Sequence, residues 1–437
     1  MDISAAGLPA GDIARMTDHL FRHEAGKLVS VLTGIFGIER LQMAEDVVQE
    51  ALARALQTWP FHGIPEKPAA WLMQTARNQA LDLIRREKLF REKQDAITAA
   101  IEGRMADVRE GAAPMFEDEI KDDNLRLMFA CCHPLIPQEA QTALALKTLC
   151  GFSPAEIAKA FLTSEAAIAK RLTRARQRIQ EQGIPFEIPA GAELAVRLDG
   201  VLQIIYLLFN EGYKASGGEN LVRADLCLEA IRLAGLLAGH PSTDLPHTHA
   251  LMALMLLDAA RLPARTDGEG NMLRLQDQDR KLWDYHMITR GVMHLNQSAV
   301  GEELSAYHLQ AGIAACHCMA PDYESTDWRR ILSLYDRLAE VNGSPVVGLN
   351  RAVAMAKVDG PEKGLEAVEA IEGRGGLESY YLLHAVLGEF QMQLRRFPLA
   401  AQHWQRAIEL AALPSEQAFL RQRLKECEAL ADEAVTS

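Results

Sequence analysis

Within "LTSEAAIAKRLTRARQRI" (162 to 179), Lys170, Arg171, Arg174, Arg176 and Arg178 are set against a single acid, Glu165. Ammonium and guanidinium groups gathered in this way attract phosphate, and a guanidinium can also pair with a base edge. Their chemistry is recognition rather than bond-making. Two other polar sets share that character. Glu45, Asp46, Gln49 and Glu50 crowd the N-terminal half of "LQMAEDVVQEALARALQTW" (41 to 59). Asn78, Asp82 and Arg86 fall at i, i+4 and i+8 in "AAWLMQTARNQALDLIRREKLFREK", beside a second line through Arg77 and Arg85. No nucleophile, base and orienting group can be assembled from the sequence, so the chain is not expected to be an enzyme.

Each set needs a helix to position it. In "GFSPAEIAKAF" the residues Ser153, Pro154 and Glu156 read as an N-cap, a first helical residue and a side chain able to reach back to the cap amide. That helix is predicted to end near Leu162. Thr163 and Ser164 then supply a turn and a second N-cap, with Glu165 at the positive end of the next helix dipole. Ala167, Ile168, Leu172, Ala175 and Ile179 recur at helical spacing as a buried stripe, which leaves the five cations largely outside it. A short helix, a tight turn and a basic helix make a helix-turn-helix, which would present the segment from Ser164 to Arg174 to a major groove. Upstream, Val47, Ala51, Ala55 and Trp59 share one face of a helix, followed by the turn-rich "PFHGIPEKP".

The chain of 437 residues is Leu- and Ala-rich, with 49% hydrophobic and 6% aromatic residues, and strand signals are nearly absent. The expected fold class is all-α, in two to four domains. No apolar run reaches membrane-spanning length, and "HALMALMLLDAA" suits a buried helix. The first residues lack the features of a signal peptide, so a cytoplasmic protein with no membrane association is expected. The cysteine-bearing "CCHP" (131 to 134) and "CHC" (316 to 318) lack the paired spacing of a zinc module and read as buried thiols. "ARTDGEGNMLRLQDQDRKLWD" lacks both the EF-hand glycine and the P-loop lysine, and reads as a loop entering a helix at Asp279. No cofactor and no metal are expected.

Composition divides the chain. Residues 15–94 form a first helical segment, 95–123 an acidic linker, and 124–183 a compact unit ending in the helix-turn-helix. "GIPFEIPAGAE" (183 to 193) marks a further boundary before the helical stretch 194–437. Net charge is −2 over residues 1–183 and −11 over 184–437, so any nucleic-acid reader must lie in the first part. Near the end, Leu387, Gly388, Ala400, Trp404 and Ala407 match the offsets of a tetratricopeptide unit, with a weaker copy through Ala352, Gly364 and Ile371. Helix pairs stacked in this way build a concave surface for proteins or small ligands.

Taken together, "AEDVVQEALARAL", "WLMQTARNQALDLIRR" and "FSPAEIAKAFLTSEAAIAKRLTRARQRI" resemble domains 2 and 4 of the extracytoplasmic-function (ECF) RNA polymerase sigma factors. The remainder, with "RLDGVLQIIYLLFNEGY" and "LQDQDRKLWD", resembles the tetratricopeptide-type extension of one subset of them. The resemblance implies a domain 2 helical bundle, a domain 4 helix-turn-helix and a C-terminal helical-repeat domain that modulates activity. It also implies two partners, core RNA polymerase, through its β′ clamp helices and β subunit, and promoter DNA. Asp46, Gln49 and Glu50 would dock on the clamp helices. Asn78, Asp82, Arg85 and Arg86 would engage the −10 element, and Ser164, Lys170, Arg171 and Arg174 the −35 element. Where such recognition helices often carry Lys, this chain has Ala169. Trp71 is open to two readings, a base-stacking aromatic or a core residue. His62 and His133 read as loop and core residues. The alternative is a ligand-responsive helix-turn-helix regulator with a helical-repeat sensor, which leaves the 41 to 94 motifs idle.

Overall fold

A sequence rich in Leu and Ala with helical apolar spacing has one economical way to bury itself, by packing helix on helix. The computed structural model describes residues 24–86, 122–161, 163–182, 189, 192–215, 222–268, 270–371 and 374–436. Among them the regular elements are helices, and the only extended pairing is an isolated antiparallel bridge between Thr266 and Met272. The all-α expectation is met. The chain divides into two compact units. Residues up to 204, with 240–242, make the first, and 205–239 with 243–437 make the second.

In the first unit α1 (24–36) precedes α2 (Leu41–His62) and α3 (Pro68–Arg86). The α2 stripe is continuous, with Leu41, Ala44, Val47, Val48, Ala51, Leu52, Ala55 and Trp59 all buried. Leu72, Ala76 and Ala80 are the buried residues of α3. Contrary to the expected turn after Trp59, α2 continues through Pro60 to His62. Pro60 is exposed and lies in the last turn, where the one bond it forfeits is cheapest.

Four further helices follow, α4 (Asp123–Cys131), α5 (Gln138–Leu149), α6 (Pro154–Ala160) and α7 (Glu165–Gln182). The acids at the end of the expected linker start α4. Asp122 caps it, accepting from Asn124 N and Leu125 N at 3.0 Å each. Most of α5 is buried, with Lys147 an exception. The rest of the expected linker, and residues 183–188 of the second boundary, lie outside the described residues.

The next helix, α8 (Ala192–Tyr213), crosses the division between the units at residue 204. Its first turns belong to the first unit. Arg197 donates to Phe129 O at 3.3 Å, and Gln203 accepts from Gln138 and Thr142, each at 3.5 Å. At Gly200 a Cβ would stand 2.9 Å from Cys132 Sγ, so the helix approaches α4 closely there.

The second unit holds the rest of α8, then α9 (Ala224–Ala238), α10 (Pro246–Ala259), α11 (Tyr285–Ser298), α12 (Ala306–Met319), α13 (Trp328–Val341), α14 (Pro345–Asp359), α15 (Pro361–Glu369), α16 (Tyr381–Gln393), α17 (Phe397–Leu410) and α18 (Pro414–Thr436). The apolar run "HALMALMLLDAA" lies in α10 and is buried almost all round. The tetratricopeptide offsets correspond to real packing. Leu387, Gly388, Ala400, Trp404 and Ala407 are all buried, and a Cβ on Gly388 would sit 3.0 Å from the Trp404 indole. In the weaker copy, Ala352 of α14 and Gly364 of α15 are also buried.

Candidate nucleic-acid and polymerase interface

The helix-turn-helix is built by its caps. Glu156 Oε2 accepts from Ser153 N at 2.7 Å while Ser153 Oγ accepts from Glu156 N at 3.2 Å, a reciprocal pair that fixes the start of α6. Ser164 Oγ accepts from Ala167 N at 3.2 Å and starts α7. The buried stripe of α7 is Ile168, Leu172, Ala175 and Ile179, while Ala167 is half-buried. This is the pattern that turns the remaining face of α7 outward.

The five cations on that helix have different fates. Lys170 and Arg174 are exposed and hold no partner among the described residues. Arg171 pairs with Glu139 at the start of α5, 2.7 Å away, and its guanidinium lies 5.9 Å from the centre of the Phe161 ring. Arg178 donates to Leu135 O at 3.2 Å. Arg171, Arg174 and Arg178, with Glu139 and Glu181, line a cleft of about 450 Å³ between α5 and α7. Two uncommitted cations and a third held by a carboxylate can attract a phosphate backbone while one guanidinium stays aimed.

Arg176 departs from the sequence reading. It turns inward to Glu45 of α2, at 2.6 Å, and Glu45 also accepts from Thr148 at 2.7 Å. Their side chains are 23% and 12% exposed, so each charge needs the other. The sequence showed Glu45 only as a member of an acidic set. Its inward direction had no local signal, because the partners lie 131 and 103 residues away. Glu45→Ala strands the Arg176 charge and the Thr148 hydroxyl. It is expected to cost about 1–3 kcal/mol in denaturant unfolding. Adding Arg176→Ala should cost less than the sum of the two single changes, and strict additivity would show that the pair is not coupled.

The residues next to Glu45 face the other way. Asp46, Gln49 and Glu50 are exposed, and Asp46 accepts from Gln42 at 2.9 Å. On α3, Asn78 and Asp82 are exposed, and Asn78 accepts from Gln74 at 3.2 Å. The side chains of Arg85 and Arg86 lie outside the described residues. Trp71 is half-buried and meets Trp59 edge to face, with centroids 5.6 Å apart, which favours its core reading. His62 is the last residue of α2 rather than a loop residue, its Nδ1 3.2 Å from Thr58 O.

The tempting clusters are packing features. Burial pushes the Cys132 thiol up to about 12 and the Cys318 thiol to about 11, and lowers His317 to about 4. His317 stands edge-on to Trp328, with centroids 5.3 Å apart. Among the described residues, no group of three His, Cys, Asp or Glu side chains could hold a metal ion. No described helix is long and apolar enough to cross a membrane.

A capped helix-turn-helix with a basic outer face, following the helices α1 to α3 with an outward acidic face on α2, has the make-up of a nucleic-acid-binding protein with a second, acidic surface. Comparison with known proteins bears this out. Sigma-70 region 2 matches residues 20–90 and sigma-70 region 4 matches 126–179. A family of unknown function, DUF6596, matches 197–299. An uncharacterized protein of Rhizobium meliloti (strain 1021) is 42% identical over 393 residues, covering 88% of this chain and 90% of its own. No solved structure matches. The chain belongs to the sigma-70 family, as an ECF-like RNA polymerase sigma factor with a C-terminal DUF6596 extension. It directs promoter-specific transcription, with core RNA polymerase and promoter DNA as partners, and its family is non-enzymatic. The alternative of a ligand-responsive helix-turn-helix regulator has no place for the region 2 match.

Proposed function

We propose that this sigma factor docks on the β′ clamp helices through Asp46, Gln49 and Glu50, with further contacts to the β subunit, in the cytoplasm. Asn78, Asp82, Arg85 and Arg86 engage the −10 element. Ser164, Lys170, Arg171 and Arg174 read the −35 element, Ser164 mainly by setting where α7 begins. The observation that supports this most is the exposure of Lys170 and Arg174 on α7 without partners among the described residues, while Asp46, Gln49 and Glu50 stand exposed on α2.

The Glu45–Arg176 pair adds a condition. Elements centred about 25 base-pair steps apart lie roughly 85 Å apart along a duplex. Regions 2 and 4, joined at 2.6 Å by this pair, must therefore separate when both elements are held. The C-terminal extension modulates that step through α8, whose first turns lie against α4 and α5.

Arg174→Ala is expected to cost about 1–3 kcal/mol of promoter binding by the holoenzyme. Its binding to core polymerase should be unchanged. A gel-shift titration and a core-competition assay measure the two separately, and unaltered promoter occupancy would reject the assignment of α7.

A further inference from the structure

The C-terminal unit contains a corner where tyrosines and cations converge and most charges are matched internally. Arg261 donates to Tyr213 Oη at 2.8 Å and to Asp258 at 2.6 Å. Lys214, just past the end of α8, donates to Tyr381 Oη at 2.9 Å and lies 3.3 Å from Glu416. Tyr381 in turn donates to Glu416 at 2.6 Å. Tyr206 donates to Gln310 at 2.7 Å. Each of these groups has at least one hydrogen-bond or ion-pair partner, although the Nε of Arg261 is buried without one among the described residues.

Arg265 is different. Its guanidinium lies 3.6 Å from the centre of the Tyr213 ring, yet it donates no hydrogen bond and forms no ion pair with any described residue. Arg280 in the same unit differs in that one of its nitrogens is committed, while its Nη2 is buried without a partner among the described residues. Arg280 also stacks on an aromatic ring, 4.4 Å from that of Trp283, but gives its Nη1 to two carbonyls, His317 O at 3.0 Å and Ala320 O at 2.7 Å.

Nor is Arg265 a loose surface side chain. Its carbonyl accepts from Leu273 N at 2.8 Å, the next residue forms the Thr266–Met272 bridge, and Asp267 holds Asn271 N at 2.8 Å. These backbone contacts of Arg265, Thr266 and Asp267 fix the chain that carries it. Stacking on Tyr213 sets the guanidinium plane and leaves its edge donors free, the geometry that takes an oxyanion bidentately. Lys214 is close enough to feel this charge. Its pKa is lowered first by burial, Glu416 opposes this, and the like charge of Arg265 reinforces it. With Arg261 matched by Asp258 and Lys214 by Glu416, Arg265 is the cation of this corner that forms no ion pair among the described residues, although residues 184–437 carry a net −11.

We propose that Arg265, stacked on Tyr213 beside Lys214, is the anchor of a binding site for a small-molecule oxyanion, a carboxylate or a phosphate group. The extension is then a ligand-binding unit as well as a helical repeat. Aromatic walls with a few converging polar groups are the usual make-up of such a site. The site stands independently of the promoter-binding assignments, and its test does not use transcription.

The test is calorimetric titration of the full chain with inorganic phosphate and, separately, with succinate, at constant ionic strength. Saturable binding of at least one probe is expected, weakened tenfold or more in Arg265→Gln. That variant should keep the parent's circular dichroism and melt within a few degrees of it without probe, since it loses only the Tyr213 stacking and no hydrogen bond. Preference for phosphate or for succinate identifies which oxyanion the site takes. If neither probe binds, or if Arg265→Gln binds as well as the parent, the proposal is overturned. It also fails if Arg174→Gln, rather than Arg265→Gln, removes the binding, because the probe then sits on the basic helix of region 4.

Discussion

Asp46→Lys combined with Glu50→Lys is expected to abolish binding to core polymerase while leaving the fold near normal. Both side chains are exposed on α2, away from the stripe that contains Val47 and Ala51, so their replacement opens no cavity. Exposed substitutions of this kind usually change stability by no more than about 0.5 kcal/mol. At an interface built on opposite charges, each reversal replaces an attraction by a repulsion, and like charges brought together cost several kcal/mol. A loss of at least a hundredfold in affinity, about 2.7 kcal/mol, is therefore expected for the pair. Part of the defect should recede at high salt, where exposed charges are screened. The measurement is competition with the parent protein for core enzyme at two salt concentrations, with a melting curve alongside. A double variant that competes as well as the parent would remove the acidic face of α2 from the polymerase interface.

How much of this could be read beforehand depended on the range of the interaction. Caps are local: Ser153, Glu156 and Ser164 bond to backbone within three residues, and each performs the role its spacing predicts. The stripe Ile168, Leu172, Ala175, Ile179 follows from helical periodicity alone. The tetratricopeptide offsets were legible for the same reason, because Gly388 and Trp404 must meet wherever two such helices pair.

Directions of charged side chains were not legible. Nothing within a turn of Glu45 or Arg176 says that these two turn toward one another. Only the docking of α7 beside α2 decides it. Arg178 reaches Leu135 O for the same kind of reason. Pro60 misled because a proline rule describes helix interiors, whereas here it acts in the last turn. Arg265 escaped notice because its significance lies in having a stacking partner without an acceptor, which no sequence pattern encodes.

A chain ending at Gly183 is expected to be markedly less stable than one ending at Ile204. Gly183 is the boundary that sequence composition suggests, but the first turns of α8 lie beyond it. Leu194, Leu198, Val201 and Leu202 of those turns are buried, and Arg197, Gly200 and Gln203 meet α4 and α5. Each buried Leu or Val contributes roughly 1.5–3 kcal/mol, so removing this part of α8 takes several kcal/mol from the region 4 core. For a unit of this size that is a fall of roughly 10 °C in melting temperature. Cys132, against which Gly200 packs, would become accessible and should react with a thiol reagent in the shorter chain. Loss of transcription by that chain would then reflect a damaged region 4 rather than a missing regulator. The chain ending at Ile204 keeps all of the first unit except residues 240–242, and so comes closer to isolating what the C-terminal unit contributes. Its promoter output in run-off transcription, compared with the full protein at equal concentration, should differ if the extension modulates initiation. Equal output would end that part of the functional reading, and equal melting of the two truncated chains would end the structural role given to α8.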